Sequence, residues 1–132
     1  MTNNNIKIIL VDAINAFVIK DEGVFDDMYK MLKKYLNRKI ILTGANDEEM
    51  ENFGLNNMPY EVFTLKHDPE KTDPKYYEMM LKHFNFDVKD VIYFEHNEDA
   101  VKSAQTVGII TYHYGKDRRD LIALKKFINE SL

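Results

Sequence analysis

Near the beginning of the sequence, four apolar residues lead into a single carboxylate, in the stretch Ile8-Ile9-Leu10-Val11-Asp12-Ala13-Ile14-Asn15-Ala16-Phe17. A short apolar run rich in β-branched residues is typical of a strand that is buried on both faces. In open α/β sheets, ligands bind outside the carboxyl ends of the strands. The stretch therefore predicts that Asp12 is either the chemical centre of this protein or the remnant of one. The alternative is a solvated acid at a strand end.

Strand and helix patterns alternate along the rest of the chain. Strands are predicted at residues 6–11, 39–43, 60–65, 91–94 and 109–113. Helices are predicted at residues 24–37, from Asn46 to near Gly54, after the Asp73-Pro74 cap, from about residue 98 to Val107, and at 117–131. Five strands that alternate with helices indicate an α/β fold, with a parallel sheet covered by helices on both faces.

Composition and charge exclude several classes of protein. The 132 residues carry a formal net charge of −4 and include no cysteine. The acidic balance gives no electrostatic basis for nucleic-acid binding, and no apolar run is long enough to span a membrane. The absence of cysteine excludes disulfides and thiolate metal sites. With no signal-peptide pattern at the start, we expect one cytoplasmic domain over residues 1–132, with no nucleic-acid or membrane partner.

Polar residues follow three of the predicted strands. Asp12 follows the first strand, Thr43 ends the second, and Glu95 and His96 follow the fourth, while Lys71 precedes the helix that leads into the fourth. We expect these groups to converge at one edge of the sheet. Such a set suits a phosphate, because an aspartate can act as nucleophile and metal ligand while a hydroxyl and an ammonium hold phosphoryl oxygens. A second acidic group would hold Mg²⁺, which prefers oxygen ligands.

Four segments that contain these residues follow one another in a definite order. They are Val-Asp-Ala-Ile-Asn-Ala-Phe at 11–17, Ile-Ile-Leu-Thr-Gly at 40–44, Lys-Thr-Asp-Pro at 71–74, and Val-Ile-Tyr-Phe-Glu-His-Asn-Glu-Asp at 91–99. In this order they resemble the four motifs of the haloacid dehalogenase (HAD) superfamily of phosphohydrolases. The first resembles that family's Asp-x-Asp-(Gly/Asn)-Thr-Leu, and the third resembles its lysine motif.

The resemblance implies a three-layer Rossmann-like fold with the five predicted strands in the order 5-4-1-2-3. It also implies a member without a cap domain, because the predicted core elements fill the segments between Asp12 and Thr43 and between Thr43 and Lys71. Capless relatives tend to act on large substrates or to cover the site with a partner subunit. The expected partners are therefore a phosphorylated substrate or another protein, and an oligomer would cover the site.

The sequence departs from the family pattern at functional positions. Ile14 stands where the family has the aspartate that acts as general acid and base, and Ala16 replaces a threonine. General acid–base catalysis contributes roughly 10²–10⁴-fold. His96 stands where the family has a metal-binding aspartate, and imidazole is a poor ligand for a hard cation. The resemblance implies a metal site formed by Asp12, the carbonyl of Ile14, Glu95 and His96. With these ligands we expect either a weakened Mg²⁺ site or a site suited to a softer ion.

Three functions remain open at this point. The first is a HAD-like protein with degenerate motifs that acts as a binding or regulatory module. The second is an active Mg²⁺-dependent phosphatase or phosphotransferase with Asp12 as nucleophile and with Thr43 and Lys71 as catalytic partners. The third is a receiver domain, which has the strand order 2-1-3-4-5 and so differs in topology.

Other polar residues have simpler interpretations. Taken alone, Lys71 resembles a surface lysine, and Asp73-Pro74 is better explained as a helix cap than as chemistry. His67, His83 and His113 have no partner at metal-ligand spacing in the sequence and are predicted to be structural or exposed.

Overall fold

The computed structural model describes residues 6–132. In chain order its strands are β1 (Ile8–Asp12), β2 (Val18–Ile19), β3 (Gly23–Val24), β4 (Lys39–Thr43), β5 (Glu61–Thr64), β6 (Val91–Glu95) and β7 (Ile110–His113). Five of them form a parallel sheet in the order β5-β4-β1-β6-β7, and β2 and β3 form a separate antiparallel hairpin. Apart from numbering, this is the predicted order. A receiver would have its second long strand at an edge, whereas β4 lies between β1 and β5, so the receiver hypothesis is wrong.

Five helices and one 3₁₀ turn (Val88–Asp90) connect the strands. The helices are α1 (Asp26–Leu32), α2 (Asp47–Asn52), α3 (Pro74–Phe84), α4 (Glu98–Val107) and α5 (Leu121–Ser131). The predicted caps are confirmed, because Asn46 forms a capping box with Glu49, and Asp73 accepts a hydrogen bond from the backbone N–H of Lys75. Gly108 ends α4 with a φ of 105°, a conformation that glycine adopts without steric cost.

Several predicted boundaries are wrong. The first helix is predicted to reach residue 37, but α1 ends at Leu32. Beyond Leu32 the backbone forms turns, in which the N–H of Lys34 donates to the carbonyl of Met31 and the N–H of Tyr35 donates to the carbonyl of Leu32. The last helix begins at Leu121, because Asp120 accepts a hydrogen bond from the Ala123 N–H and so caps it there. The β2–β3 hairpin was not predicted, since strands of two residues are too short to show a hydrophobic period.

The core lies on both faces of the sheet, as predicted for buried parallel strands. Along β1, Ile9 and Val11 pack towards α5 and α1, whereas Leu10 packs on the opposite face against residues of α3, and all three are fully buried. The central position of β1 therefore fixes Asp12 at the middle of the sheet edge. Within the described residues, only the hairpin and α1 lie between β1 and β4, and only α2 and β5 lie between β4 and Lys71, so no cap domain is inserted there.

Residues 6–132 contain no helix long and apolar enough to cross a membrane.

Candidate active site

Three neighbouring strands bring their terminal polar residues together. Asp12 ends β1, Thr43 ends β4 and Glu95 ends β6, and β1 lies between the other two. All three side chains are buried, with 1%, 3% and 1% of their surface exposed. They line a cavity of about 270 Å³, which Ile14, Lys71 and His96 also line. The structure therefore brings every residue of the predicted catalytic and metal sets to one cavity; their roles stay predictions.

The ammonium of Lys71 is held between the two buried carboxylates. Its Nζ atom lies 2.8 Å from Oδ1 of Asp12, 2.7 Å from Oε1 of Glu95 and 3.2 Å from the carbonyl oxygen of Leu42. A lysine ammonium has three N–H donors, so each has an acceptor within the protein. Burial by itself lowers the pKa of Lys71, but the charges of Asp12 and Glu95 outweigh it and raise that pKa above its usual value. Lys71 is therefore a buried cation, and the surface alternative is wrong.

The loop that carries Lys71 is fixed from two sides. The hydroxyl of Ser103 on α4 donates to the carbonyl of Thr72 at 2.6 Å. The N-cap of α3 at Asp73 holds the other end of the loop. Thr72 and Asp73 of the predicted lysine motif thus make hydrogen bonds that fix the loop, while Lys71 lines the cavity.

His96 makes two hydrogen bonds to the same oxygen of Asp12. Its backbone N–H donates to Oδ2 at 3.0 Å, and its Nδ1 lies 2.5 Å from that atom and 3.2 Å from Oε2 of Glu95. On the other side of the ring, Nε2 lies 3.5 Å from the amide nitrogen of Asn15. Burial lowers the pKa of His96, but the hydrogen bonds to Asp12 and Glu95 outweigh it and raise the pKa to about 9. The ring is therefore an imidazolium at neutral pH.

Each of the four carboxylate oxygens of Asp12 and Glu95 has at least one N–H donor or cationic partner. In addition to Lys71 and His96, the backbone N–H of Asn97 donates to Oε2 of Glu95 at 3.0 Å. Burial and the neighbouring Glu95 charge raise the pKa of Asp12. Burial also acts to raise the pKa of Glu95, but the charge of Lys71 and the hydrogen bonds from His96, Lys71 and Tyr93 together outweigh it and hold that pKa well below its usual value. We refer to Asp12, Lys71, Glu95 and His96 as the ion quartet.

Three buried tyrosines form hydrogen bonds to cavity residues or to one another, and these hydrogen bonds were not predicted. Tyr93 donates its hydroxyl to Oε1 of Glu95, and the hydroxyl of Tyr77 lies 3.3 Å from that of Tyr93. Tyr76 donates to the carbonyl of Thr43 at 2.7 Å. The signal for Tyr93 was present in the sequence, because residues two apart on a strand point to the same face. Tyr76 and Tyr77 are both fully buried.

His67 lies at the rim of the cavity and joins two carboxylates. Its Nε2 is 2.5 Å from Oε1 of Glu49 on α2, and its Nδ1 is 2.6 Å from Oε1 of Glu70. His67 is predicted to be structural or exposed, and 41% of its side chain is exposed. Its bridge to Glu49 is not part of that prediction, because this partner lies on another element. His83 contacts the rings of Phe63, at a tilt, and Phe84, edge to face. Nε2 of His113 lies 2.9 Å from the carbonyl oxygen of His96.

One group of carboxylates and imidazoles in the described chain has the spacing of a metal site. Asp12, Glu95 and His96 each offer a ligand atom, and these atoms lie within 4.8 Å of one another. The fourth predicted ligand, the carbonyl of Ile14, belongs to a residue that lines the same cavity.

Comparison with solved structures identifies the fold. A mutant HAD family enzyme from Bacteroides thetaiotaomicron, solved in complex with magnesium and inorganic phosphate, matches with a TM-score of 0.66, at 14% identity, over 82% of this chain and 93% of that one. The chain has a haloacid-dehalogenase-like fold. An uncharacterized protein from Corynebacterium glutamicum matches this HAD-like fold with a TM-score of 0.60, at 14% identity, over 94% and 96% of the two chains.

The UTR4 protein from Saccharomyces cerevisiae gives a TM-score of 0.54 at 18% identity, over 70% of this chain and 48% of that protein. No protein-family model and no curated protein matches the sequence. The likeness is therefore one of fold. The order of the strands in this chain agrees with the sequence-based prediction.

Proposed function

We propose that this protein keeps the architecture of a phosphohydrolase but acts by binding, without ordinary turnover of phosphoesters. The proposal rests on one observation, that an isoleucine, Ile14, lines the cavity two residues after Asp12. An alkyl side chain at this place has no proton to give to a leaving group, so residue 14 supplies none of the acid–base help that is worth roughly 10²–10⁴-fold in rate.

The surroundings of Asp12 support the same proposal. A carboxylate nucleophile attacks through a free lone pair, but Oδ1 of Asp12 accepts from Lys71 and Oδ2 accepts twice from His96. Hydrogen bonds from cationic donors are about twice as strong as neutral ones. The two hydrogen bonds of His96 fill both lone-pair sites of Oδ2, so attack by Asp12 on a phosphorus atom is limited to the one lone pair of Oδ1 that Lys71 leaves free, on a carboxylate that these donors make less nucleophilic.

The predicted metal ligands around Asp12 do not suit Mg²⁺. This ion demands near-octahedral coordination by oxygens, whereas here the carboxylate oxygens already accept from Lys71, His96 and backbone N–H groups. The imidazole of His96 stands in the place of an oxygen ligand. We therefore propose that any Mg²⁺ site is weak, and we assign no chemical step to a metal.

The cavity offers a mixed surface to a binding partner. Thr43 and Asn97 supply polar groups, while Ile14, Phe53 and Ala100 supply apolar wall. With no inserted cap between the core elements, a partner has open access to this surface. We propose that the occupant is a phosphorylated ligand or a segment of another protein, and that an oligomer would cover the cavity.

One observation favours a second candidate, an active phosphatase or phosphotransferase. Asp12, Thr43, Lys71 and Glu95, which the HAD resemblance would use for phosphate chemistry, all line one cavity in a HAD-like fold. On this alternative Asp12 is the nucleophile, and a group other than residue 14 supplies the proton.

Phosphate release distinguishes the two proposals. The natural protein and an Asp12→Asn variant are assayed with an aryl phosphate and a panel of phosphoesters, each with Mg²⁺, Mn²⁺, Zn²⁺ or a chelator, after circular dichroism has shown that both are folded. We expect equal rates for the two proteins under every condition. A rate that the natural protein shows and Asp12→Asn lacks would overturn the proposal and establish the alternative.

A further inference from the structure

We infer that the His96 side chain takes the place of a divalent cation between Asp12 and Glu95, so that the ion quartet is complete without a metal. The inference deepens the proposed function, since it gives a physical reason why a HAD-like site would bind without catalysing. It makes a separate statement, however, because it concerns metal binding and not turnover.

The position of the ring carries the inference. Nδ1 of His96 lies 2.5 Å from Oδ2 of Asp12 and 3.2 Å from Oε2 of Glu95, which are one oxygen from each carboxylate. An ion bridging the two carboxylates through these oxygens would occupy the space that Nδ1 and its proton fill. Metal binding at this point would therefore require the ring to leave.

The oxygens of the two carboxylates have partners without any ion. The ring of His96 contacts Oδ2 of Asp12 and Oε2 of Glu95, and Lys71 contacts the remaining oxygens, Oδ1 of Asp12 and Oε1 of Glu95. A divalent cation added to this arrangement would compete with Lys71 and His96 for the same oxygens. Buried polar groups are tolerated when they are hydrogen-bonded, as these are.

The ring of His96 is also held in place by its backbone. The His96 N–H donates to Asp12, so the residue is tied to the carboxylate at two points. Its carbonyl oxygen lies 2.9 Å from Nε2 of His113 on β7. The side chain is thus preorganised between the carboxylates and would not be displaced by a small rotation.

Metal titration of the natural protein tests the inference directly. Mg²⁺, Mn²⁺ and Zn²⁺ are added in separate calorimetric titrations, and the unfolding temperature is measured with each ion and with EDTA. We expect no saturable one-to-one binding and no shift in unfolding temperature. Saturable binding that Asp12→Asn abolishes would overturn the inference, whether or not the protein releases phosphate.

A His96→Asp variant supplies the complementary test. It replaces the imidazole with an oxygen ligand, so we expect a lower unfolding temperature in EDTA, recovery with Mg²⁺, and saturable Mg²⁺ binding at concentrations where the natural protein shows none. The matched control is His83→Asp, the same substitution at an exposed site on α3, which should show no response to Mg²⁺. A folded His96→Asp protein that binds Mg²⁺ no better than the natural protein would contradict the inference; if it does not fold, the titration of the natural protein decides alone.

Discussion

Nδ1 of His96 lies 2.5 Å from Oδ2 of Asp12, the carboxylate that stands at the centre of the sheet edge. On the other side of the same carboxylate, the ammonium of Lys71 lies 2.8 Å from Oδ1. Asp12 is therefore fixed between two cations of its own chain. The same two cations reach Glu95, so the polar centre of the cavity is a closed set of ion pairs in a largely buried place.

Removing Lys71 should be strongly destabilising. A Lys71→Met variant would leave Asp12 and Glu95 facing each other at 1% exposure without their shared ammonium. Breaking a buried ion pair by removing one partner costs about 3–5 kcal/mol of unfolding free energy. Urea denaturation at neutral pH measures the loss. The control is Lys75→Met on α3, an exposed lysine, and a loss for Lys71→Met no larger than for this control would contradict the proposed pairing.

The tyrosine beneath Glu95 should contribute more than its neighbour. Tyr93→Phe removes a hydroxyl that donates to a charged carboxylate, a kind of hydrogen bond worth about 1.5–3 kcal/mol. Tyr77→Phe removes a contact of 3.3 Å between two neutral hydroxyls, which should cost only about 1 kcal/mol. Thermal or urea unfolding of both variants compares them in the same core. A larger loss for Tyr77→Phe would show that Tyr93 does not support the ion quartet.

The ion pairs of His67 with Glu49 and Glu70 at the cavity rim should make the unfolding free energy depend on pH. Hydrogen bonds to Glu49 and Glu70 raise the pKa of His67 above its usual 6.5, so its contribution is fully present below pH 6.5 and is lost as the pH rises through the higher folded value. The backbone hydrogen bond from Asn46 and the hydrogen bond to His67 lower the pKa of Glu49 below its usual 4.5, so its contribution is lost as the pH falls below 4.5. The bridge should therefore contribute most between pH 4.5 and 6.5.

A His67→Gln variant isolates this contribution. The difference in unfolding free energy between the natural protein and His67→Gln should be largest near pH 5.5 and should decrease above pH 6.5 and below pH 4.5. His83→Gln is the matched control, since His83 is an exposed histidine that contacts aromatic rings and forms no ion pair in the described chain. A pH-independent difference for His67→Gln would show that the rim carboxylates do not hold His67 in its charged form.

The strands and the helix caps could be predicted because their signals are local. The apolar run before Asp12, the cap at Asn46 and the stop at Gly108 each depend on a few adjacent residues. The parallel sheet then followed from alternation, and the strand order from the resemblance to one superfamily. Lys71 could be placed near Asp12 for the same reason.

The pairing inside the cavity could not be predicted in the same way. The contact of His67 with Glu49 joins two elements far apart in sequence, and its geometry depends on how α2 meets the loop before α3. The position of His96 between Asp12 and Glu95 depends on a side-chain rotation that no sequence period records. The β2–β3 hairpin was missed because each of its strands has only two residues.

The central claim is that Ile14 and His96 keep this HAD-like site from turning over phosphoesters. Its most direct test is the steady-state rate of phosphate release from an aryl phosphate with Mg²⁺, measured side by side for the natural protein, Asp12→Asn and the Ile14→Asp, His96→Asp double variant. We predict no difference between the natural protein and Asp12→Asn, and a gain of at least about 10²-fold in the double variant, the lower end of general acid–base catalysis. Release of phosphate by the natural protein at a rate that Asp12→Asn abolishes would contradict the account.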